Sequence, residues 1–157
     1  MKKKVLALAL ACAACLTLLA GCGGDDKNGD TVTLKVGASP APHAEILEQV
    51  APILAEQGIT LEIVEYNDYI VPNEAVESGE NDANYFQHIT YMNNFNAEHG
   101  THLVSVAEVH YEPFGIYAGR VSSLSELPDG AVIGIPNDPT NGGRALLLLQ
   151  EQGLITL

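Results

Sequence analysis

Cysteine is scarce in this chain, and its scarcity excludes a disulfide-stabilised fold. Three of the 157 residues are Cys, at positions 12, 15 and 22. The first two lie in an N-terminal apolar segment that we expect to be cleaved off, so Cys22 alone would remain. One cysteine cannot form an internal disulfide, and the folded part must therefore depend on its apolar core.

Positive charge is also scarce. The chain has 7 Lys and Arg against 20 Asp and Glu, and three of the basic residues precede Cys22, whereas every acidic residue follows it. Such a surface repels nucleic acid and has no electrostatic attraction to anionic lipid. Hydrophobic residues make up 46% of the chain, which is ordinary for a globular domain and excludes wholesale disorder.

Recognisable catalytic motifs are lacking as well. Ser39 has no G-x-S-x-G context, and no pair of carboxylates has a recognisable catalytic partner. We therefore predict that the chain is not an enzyme and has no cofactor.

The N-terminus has the three parts of an export signal. Three lysines at residues 2–4 precede an apolar run over residues 5–20, which is too short for a transmembrane helix and ends in small residues. Residues 19–22, LAGC, resemble the bacterial lipobox L-[AS]-[GA]-C. That resemblance implies cleavage before Cys22 and diacylation of its sulfur. The alternative is an ordinary signal peptide whose cysteine is incidental.

These features predict an N-terminal organisation and a location. Residues 1–21 would be a lipoprotein signal peptide, and residues 22–30, rich in Gly and Asp, a flexible tether. The protein would then be anchored by lipid in the cell membrane and face the periplasm or the extracellular side.

Strand and helix patterns alternate along the rest of the chain. Alternating or β-branched runs predict strands, and apolar residues at helical spacing predict helices. The predicted strands cover residues 32–37, 60–66, 83–86, 103–109 and 114–117, and the predicted helices cover residues 42–57, 71–78 and 91–99, with a helical turn at 124–127. This order predicts an α/β fold with a mostly parallel sheet and a ligand at the carboxyl ends of the strands.

Residues 131–149 carry the clearest indication of a binding function. They read as a short strand, a turn rich in Asn, Asp, Pro and Gly, and an apolar helix with Arg144 in its first turn. Unpaired N–H groups at a helix N-terminus bind anions, and a guanidinium grips a carboxylate through two hydrogen bonds. The segment therefore predicts a site for a small carboxylate. Alternatively, Arg144 pairs with a neighbouring acid such as Asp138.

Six segments together resemble the NlpA/MetQ family of methionine-binding lipoproteins, which serve methionine ABC importers. They are GASP at residues 37–40, PHAEIL at 42–47, EYNDY at 65–69, DANYFQH at 82–88, NFNAEHG at 94–100 and IPNDPTNGGRAL at 135–146. The resemblance implies a two-lobed fold like that of type II periplasmic binding proteins. It also implies a non-covalent amino-acid site between the lobes.

The resemblance also implies which residues bind the ligand. Aromatic and imidazole side chains would surround the methionine side chain, and an N-x-x-R motif would hold its backbone. The corresponding residues here are Tyr69, Phe86, His88, Tyr91, Asn141 and Arg144. The implied partners are L-methionine or a related amino acid, and the permease and ATPase of the importer.

Family members are considerably longer, so this chain is expected to be truncated at its C-terminus. Residues 31–110 would form the first lobe, and residues 111–157 the crossover and an incomplete second lobe.

Two alternative functions remain open at this point. Five histidines allow a zinc-binding lipoprotein, in which replacement of His88 and His110 would abolish metal affinity. The chain could also be a non-binding remnant of a truncated gene.

Overall fold

The computed structural model describes residues 31–157. The predicted signal peptide, the predicted lipidation site at Cys22 and the predicted tether lie outside the described residues. No helix in the described part of the chain combines the length and apolar character that a membrane span requires.

Three parallel strands form the sheet, in the order β2, β1, β3. They are β1 (Val32–Ala38), β2 (Ile59–Glu65) and β3 (Ala83–Tyr85). Val32 lies opposite Ile59, and Val36 lies opposite Ala83. Because β3 pairs only with the end of β1, the last residues of β1 are covered on both edges and are buried. The carboxyl ends of the strands thus meet at the best-packed end of the sheet.

Four α-helices connect and flank the strands. They are α1 (Glu45–Ala55), α2 (Val71–Glu77), α3 (Ile89–His99) and α4 (Pro139–Glu151); a π-helical turn over Pro40–Ala44 precedes α1, and a 3-10 turn covers Leu124–Glu126. Gly100 ends α3 in the left-handed conformation, with φ of 69°, as its sequence position predicts. The predicted α/β alternation is therefore confirmed from β1 to α3.

Three predicted strands are wrong. Residues 103–109, residues 114–117 and the segment before α4 have no regular secondary structure. Their β-branched side chains are exposed, with Val106 88% and Val132 98% accessible. A strand needs a neighbour for its N–H and C=O groups, and within residues 31–157 these segments find none, so the alternating pattern alone does not produce a strand.

Buried amides fix the chain around β3. Asn73 on α2 is fully buried, and its Oδ1 accepts hydrogen bonds from Asn84 Nδ2 at 2.9 Å and Gln87 Nε2 at 2.6 Å. Asn73 Nδ2 donates to Gln87 Oε1 at 3.0 Å. Buried polar groups are costly unless they are paired, so these amides favour one arrangement of α2 against residues 84–87.

Replacement of Gly37 by alanine should destabilise the fold by about 1–3 kcal/mol. An added Cβ would lie 2.8 Å from Asn81 Nδ2 and 2.8 Å from Tyr66 Cε2. These two side chains are joined by a hydrogen bond of 3.0 Å, and Asn81 is only 2% exposed, so neither can move freely. Urea unfolding measures the change. Gly134→Ala is the control, because no atom lies within 4 Å of its added Cβ; equal stabilities of the two variants would contradict the prediction.

Candidate functional site

The six residues predicted to bind the ligand come together in the structure. Tyr69 lies in the loop after β2, and Phe86 and His88 lie just after β3. Tyr91 is in the first turn of α3, whereas Asn141 and Arg144 are on α4. Residues far apart in the chain therefore meet beyond the carboxyl ends of β2 and β3, where parallel α/β sheets place their ligands.

Three of these residues form an aromatic wall, defined here as Tyr69, Phe86 and Tyr91. The ring centroid of Tyr69 lies 5.7 Å from that of Phe86 and 5.8 Å from that of Tyr91. The ring centroids of Phe86 and Tyr91 are 6.1 Å apart. Phe86 and Tyr91 are buried, whereas Tyr69 is 51% exposed. Two rings of the wall, Phe86 and Tyr91, are therefore packed in the core, and the ring of Tyr69 is accessible to a ligand.

The hydroxyl of Tyr91 fixes the loop that carries Tyr69. It donates to the Tyr69 carbonyl oxygen at 2.9 Å. Burial raises the pKa of Tyr91, and the carboxylates of Asp138 and Asp68 raise it further. The hydroxyl therefore stays protonated and remains a donor at neutral pH.

His88 links the aromatic wall to α4. It caps the N-terminus of α3, where its Nδ1 accepts the Tyr91 N–H at 3.2 Å. Its Nε2 lies 2.9 Å from Asn141 Oδ1. Since Nδ1 acts as an acceptor, Nε2 carries the proton and donates to the amide oxygen of Asn141.

Asn141 joins His88 to Arg144. Its Oδ1 also accepts from Arg144 Nη1 at 3.0 Å. The second nitrogen of the guanidinium, Nη2, donates to the Glu112 carbonyl oxygen at 3.4 Å, and the group lies over the Phe114 ring, 4.9 Å from its centroid. Within residues 31–157, no carboxylate lies at ion-pair distance from Arg144. The alternative pairing with Asp138 is therefore wrong for this part of the chain.

Asp138 holds Asn141 in place. As the N-cap of α4, it accepts the Asn141 N–H at Oδ1 (2.8 Å), and its Oδ2 accepts from Asn141 Nδ2 at 3.1 Å. This leaves Asn141 Oδ1 for His88 and Arg144. Burial would raise the pKa of Asp138, but hydrogen bonds from Asn141 and Thr140 outweigh it and hold the pKa below its ordinary value.

Two details of the prediction for residues 131–149 need correction. Because α4 begins at Pro139, Arg144 lies in its second turn and not in the first. The N–H groups at the start of the helix are also partly paired, since Asp138 accepts those of Asn141 and Gly142. Side chains, more than free backbone groups, thus define the polar part of the site.

Sequence reasoning missed the parts played by Asp138 and by the segment with Glu112 and Phe114. An Asp directly before Pro-Thr-Asn is typical of a helix N-cap, so Asp138 could have been found. The contacts of Arg144 with residues 112–114 have no local signal, because 30 residues or more separate the partners.

The histidines do not form the zinc site considered above. His88 bonds to Asn141, whereas His110 bonds to Tyr85 and Glu112, so the two do not share a centre. His99 stacks on Phe95, and His102 pairs with Glu77 at 2.9 Å. Burial lowers the pKa of His43, although the nearby Glu112 carboxylate acts in the opposite direction. Because its pKa is lowered, this imidazole is neutral at pH 7.

Comparison with known proteins assigns the chain to a family. The sequence profile described as "NlpA lipoprotein" matches residues 34–157. The chain belongs to the NlpA lipoprotein family. It is 44% identical over 140 residues to the D-methionine-binding lipoprotein MetQ of Salmonella typhi, a match that covers 88% of this chain and 51% of that protein.

Solved structures share the fold. A lipoprotein from Ruminococcus gnavus superimposes with a TM-score of 0.77 and 59% identity, covering 80% of this chain and 51% of that one. A nutrient-binding protein from Burkholderia cenocepacia, solved bound to methionine, gives a TM-score of 0.72 and 41% identity, covering 79% of this chain and 52% of that one. The α/β fold is therefore confirmed, and the chain spans about half the length of these relatives.

The substitution Asp138→Ala should lower the free energy of unfolding by about 0.5–2 kcal/mol at pH 7, because it removes the N-cap of α4. Hydrogen bonds depress the folded-state pKa of Asp138, so its contribution is present above the ordinary value of about 3.9 and is lost as the pH falls through the depressed value. Urea unfolding at pH 7 and at lower pH should therefore show the difference from wild type shrinking. Asp129→Ala, at an exposed position outside the helices, is the control; an equal effect at pH 7 would refute the capping role.

Proposed function

We propose that this chain is the substrate-binding component of a methionine ABC importer and that it binds methionine non-covalently without catalysing a reaction. The observation that carries the proposal is the hydrogen-bonded connection from the aromatic wall through His88 and Asn141 to Arg144. Family membership and the methionine-bound relative from Burkholderia cenocepacia support it.

The apolar end of methionine would pack on the aromatic wall. A thioether is polarisable and packs favourably at aromatic ring edges, at about 0.3–1.5 kcal/mol for each contact. Phe86 and Tyr91 are buried and already held by their neighbours, so they need little ordering when the ligand binds. Tyr69, the exposed member, would be the ring that the ligand covers.

Arg144 would neutralise the ligand carboxylate. Its guanidinium carries five N–H donors, and two of its nitrogens each make one hydrogen bond, to Asn141 and to the Glu112 carbonyl. Donors therefore remain for a carboxylate, while these two contacts hold the group in position. His88, with its proton on Nε2, would keep the Asn141 amide in the orientation that Arg144 uses.

The positions of the strands and helices support a division of the chain into parts. We propose residues 31–110 as the first lobe, because all three strands and the helices α1 to α3 lie there. Residues 111–157 would be the crossover and part of a second lobe, with residues 1–21 as the signal peptide and 22–30 as the tether. Ligand-induced closure of the lobes would present a surface to the permease, whose associated ATPase supplies the energy.

We propose that a lipid on Cys22 anchors the protein in the cell membrane, on its periplasmic or extracellular side. The LAGC sequence at residues 19–22 and the assignment to a lipoprotein family support this location. The net charge of −13 would repel nucleic acid. None of the comparisons supports zinc as the cargo.

Replacement of Arg144 by alanine should weaken methionine binding by about 2–5 kcal/mol, or at least roughly thirtyfold in Kd, because the ligand carboxylate loses its charged partner. Isothermal titration of the full chain in mild detergent, after refolding to remove retained ligand, measures this. L- and D-methionine are titrated separately, since the Salmonella relative is named for the D enantiomer.

The matched control is Arg120→Ala, which removes the other arginine of the described residues at an exposed position. It should bind like wild type. Equal losses in both variants, or no heat from either enantiomer with correctly folded protein, would overturn the proposed function.

The substitution Cys22→Ser should abolish the incorporation of labelled palmitate, because the sulfur that would be acylated is lost. The protein should then leave the membrane fraction. Metabolic labelling and fractionation of the producing cells provide the measurement. Cys15→Ser is the control, as this residue lies in the segment to be cleaved. Membrane retention of the Cys22 variant with undiminished label would contradict the anchor.

A further inference from the structure

Three potential metal ligands, none of them part of the aromatic wall, meet in the structure. One nitrogen of His43, one of His110 and a carboxylate oxygen of Glu112 all lie within 4.8 Å of one another. His43 Nε2 is 3.7 Å from Glu112 Oε1, and His110 Nε2 is 2.8 Å from the same oxygen. The ligands come from the turn before α1 and from the irregular segment after residue 103, so the tertiary fold brings them together.

His43 is buried without a hydrogen-bond partner in the described residues. Its side chain is only 8% exposed, its Nδ1 is fully enclosed without a partner, and its Nε2 is beyond hydrogen-bond distance from Glu112. Its Nε2 is therefore the nitrogen that a cation held among the three side chains would contact, and this nitrogen makes no hydrogen bond of its own within residues 31–157.

A further residue orients His110. The Tyr85 hydroxyl bonds to His110 Nδ1, on the opposite side of the ring from Glu112. A hydroxyl can either donate or accept, so Tyr85 can support the tautomer that leaves Nε2 free for a metal. His110 thus has, on its other nitrogen, the kind of partner that is typical of a metal-binding histidine.

We propose that His43, His110 and Glu112 bind a divalent transition-metal ion of the zinc class. Two imidazole nitrogens and one carboxylate oxygen are a ligand set that Zn²⁺ and Co²⁺ accept in tetrahedral geometry, with water in the fourth position. The ion would be structural and not transported. It would fix residues 110–112 against the turn before α1, while His88 and the aromatic wall take no part in its coordination.

Cobalt titration of the full chain tests the site. All proteins carry serine at positions 12, 15 and 22, so that no thiolate contributes, and are held in mild detergent. We expect one Co²⁺ per chain, with the visible absorption of a tetrahedral nitrogen and oxygen site, and displacement by Zn²⁺. Glu112→Gln and His110→Ala should weaken binding at least about tenfold, and Tyr85→Phe by about 10- to 100-fold.

The matched control is the double variant Glu77→Gln, His102→Ala. It removes the other close His–Glu pair, which has only two potential ligands and an exposed imidazole. Its cobalt spectrum and affinity should equal those of the parent. Absence of saturable binding, or equal affinity in the Glu112 variant and the parent, would overturn the proposal. Circular dichroism confirms that each variant is folded, and the ligand variants lie in the irregular segment, so their loss does not remove an element of the fold.

Discussion

Asn73 is fully buried, and its amide is satisfied only if α2 and residues 84–87 take one arrangement. Its oxygen accepts from both Asn84 and Gln87, and its nitrogen donates to Gln87. A shift of β3 by one residue would break these hydrogen bonds and leave the buried amide of Asn73 unpaired, at a cost of about 1–3 kcal/mol. Phe86 and His88 flank Gln87 directly, so this cluster determines where both site residues lie. These amides and the buried rings of Phe86 and Tyr91 together fix the sheet side of the site.

The contact between His88 and α4 depends on polar side chains alone. Asn141 receives hydrogen bonds from His88 and Arg144 on one oxygen, while Asp138 holds its nitrogen. The site therefore joins the sheet to α4 through a few polar side chains. Such a joint can change its geometry at low cost, because hydrogen bonds exchange partners more easily than a packed core rearranges.

Glu112 takes part in two separate sets of contacts. Its backbone carbonyl accepts from Arg144, and its side chain approaches His43 and His110. The irregular segment after residue 103 is thus held at Glu112 by contacts of both its backbone and its side chain, although the segment forms no strand. This accounts for how a stretch with exposed β-branched residues nevertheless has a defined path beside the site.

The sequence by itself determined the α/β alternation through α3 and the end of α3 at Gly100. These follow from local signals, namely side-chain periodicity and glycine in the left-handed conformation. The candidate ligand-binding residues came instead from the resemblance to a family, and their role in binding stays a prediction. The sequence could not determine whether residues 103–109 and 114–117 pair as strands, because strand formation depends on a neighbour and not on the pattern alone. Only the tertiary structure showed that Asp138 orients Asn141, that Phe114 lies under Arg144, and that His43 meets His110. Each of these contacts depends on how side chains are directed or on residues distant in sequence, and no local pattern encodes where two such residues meet in space.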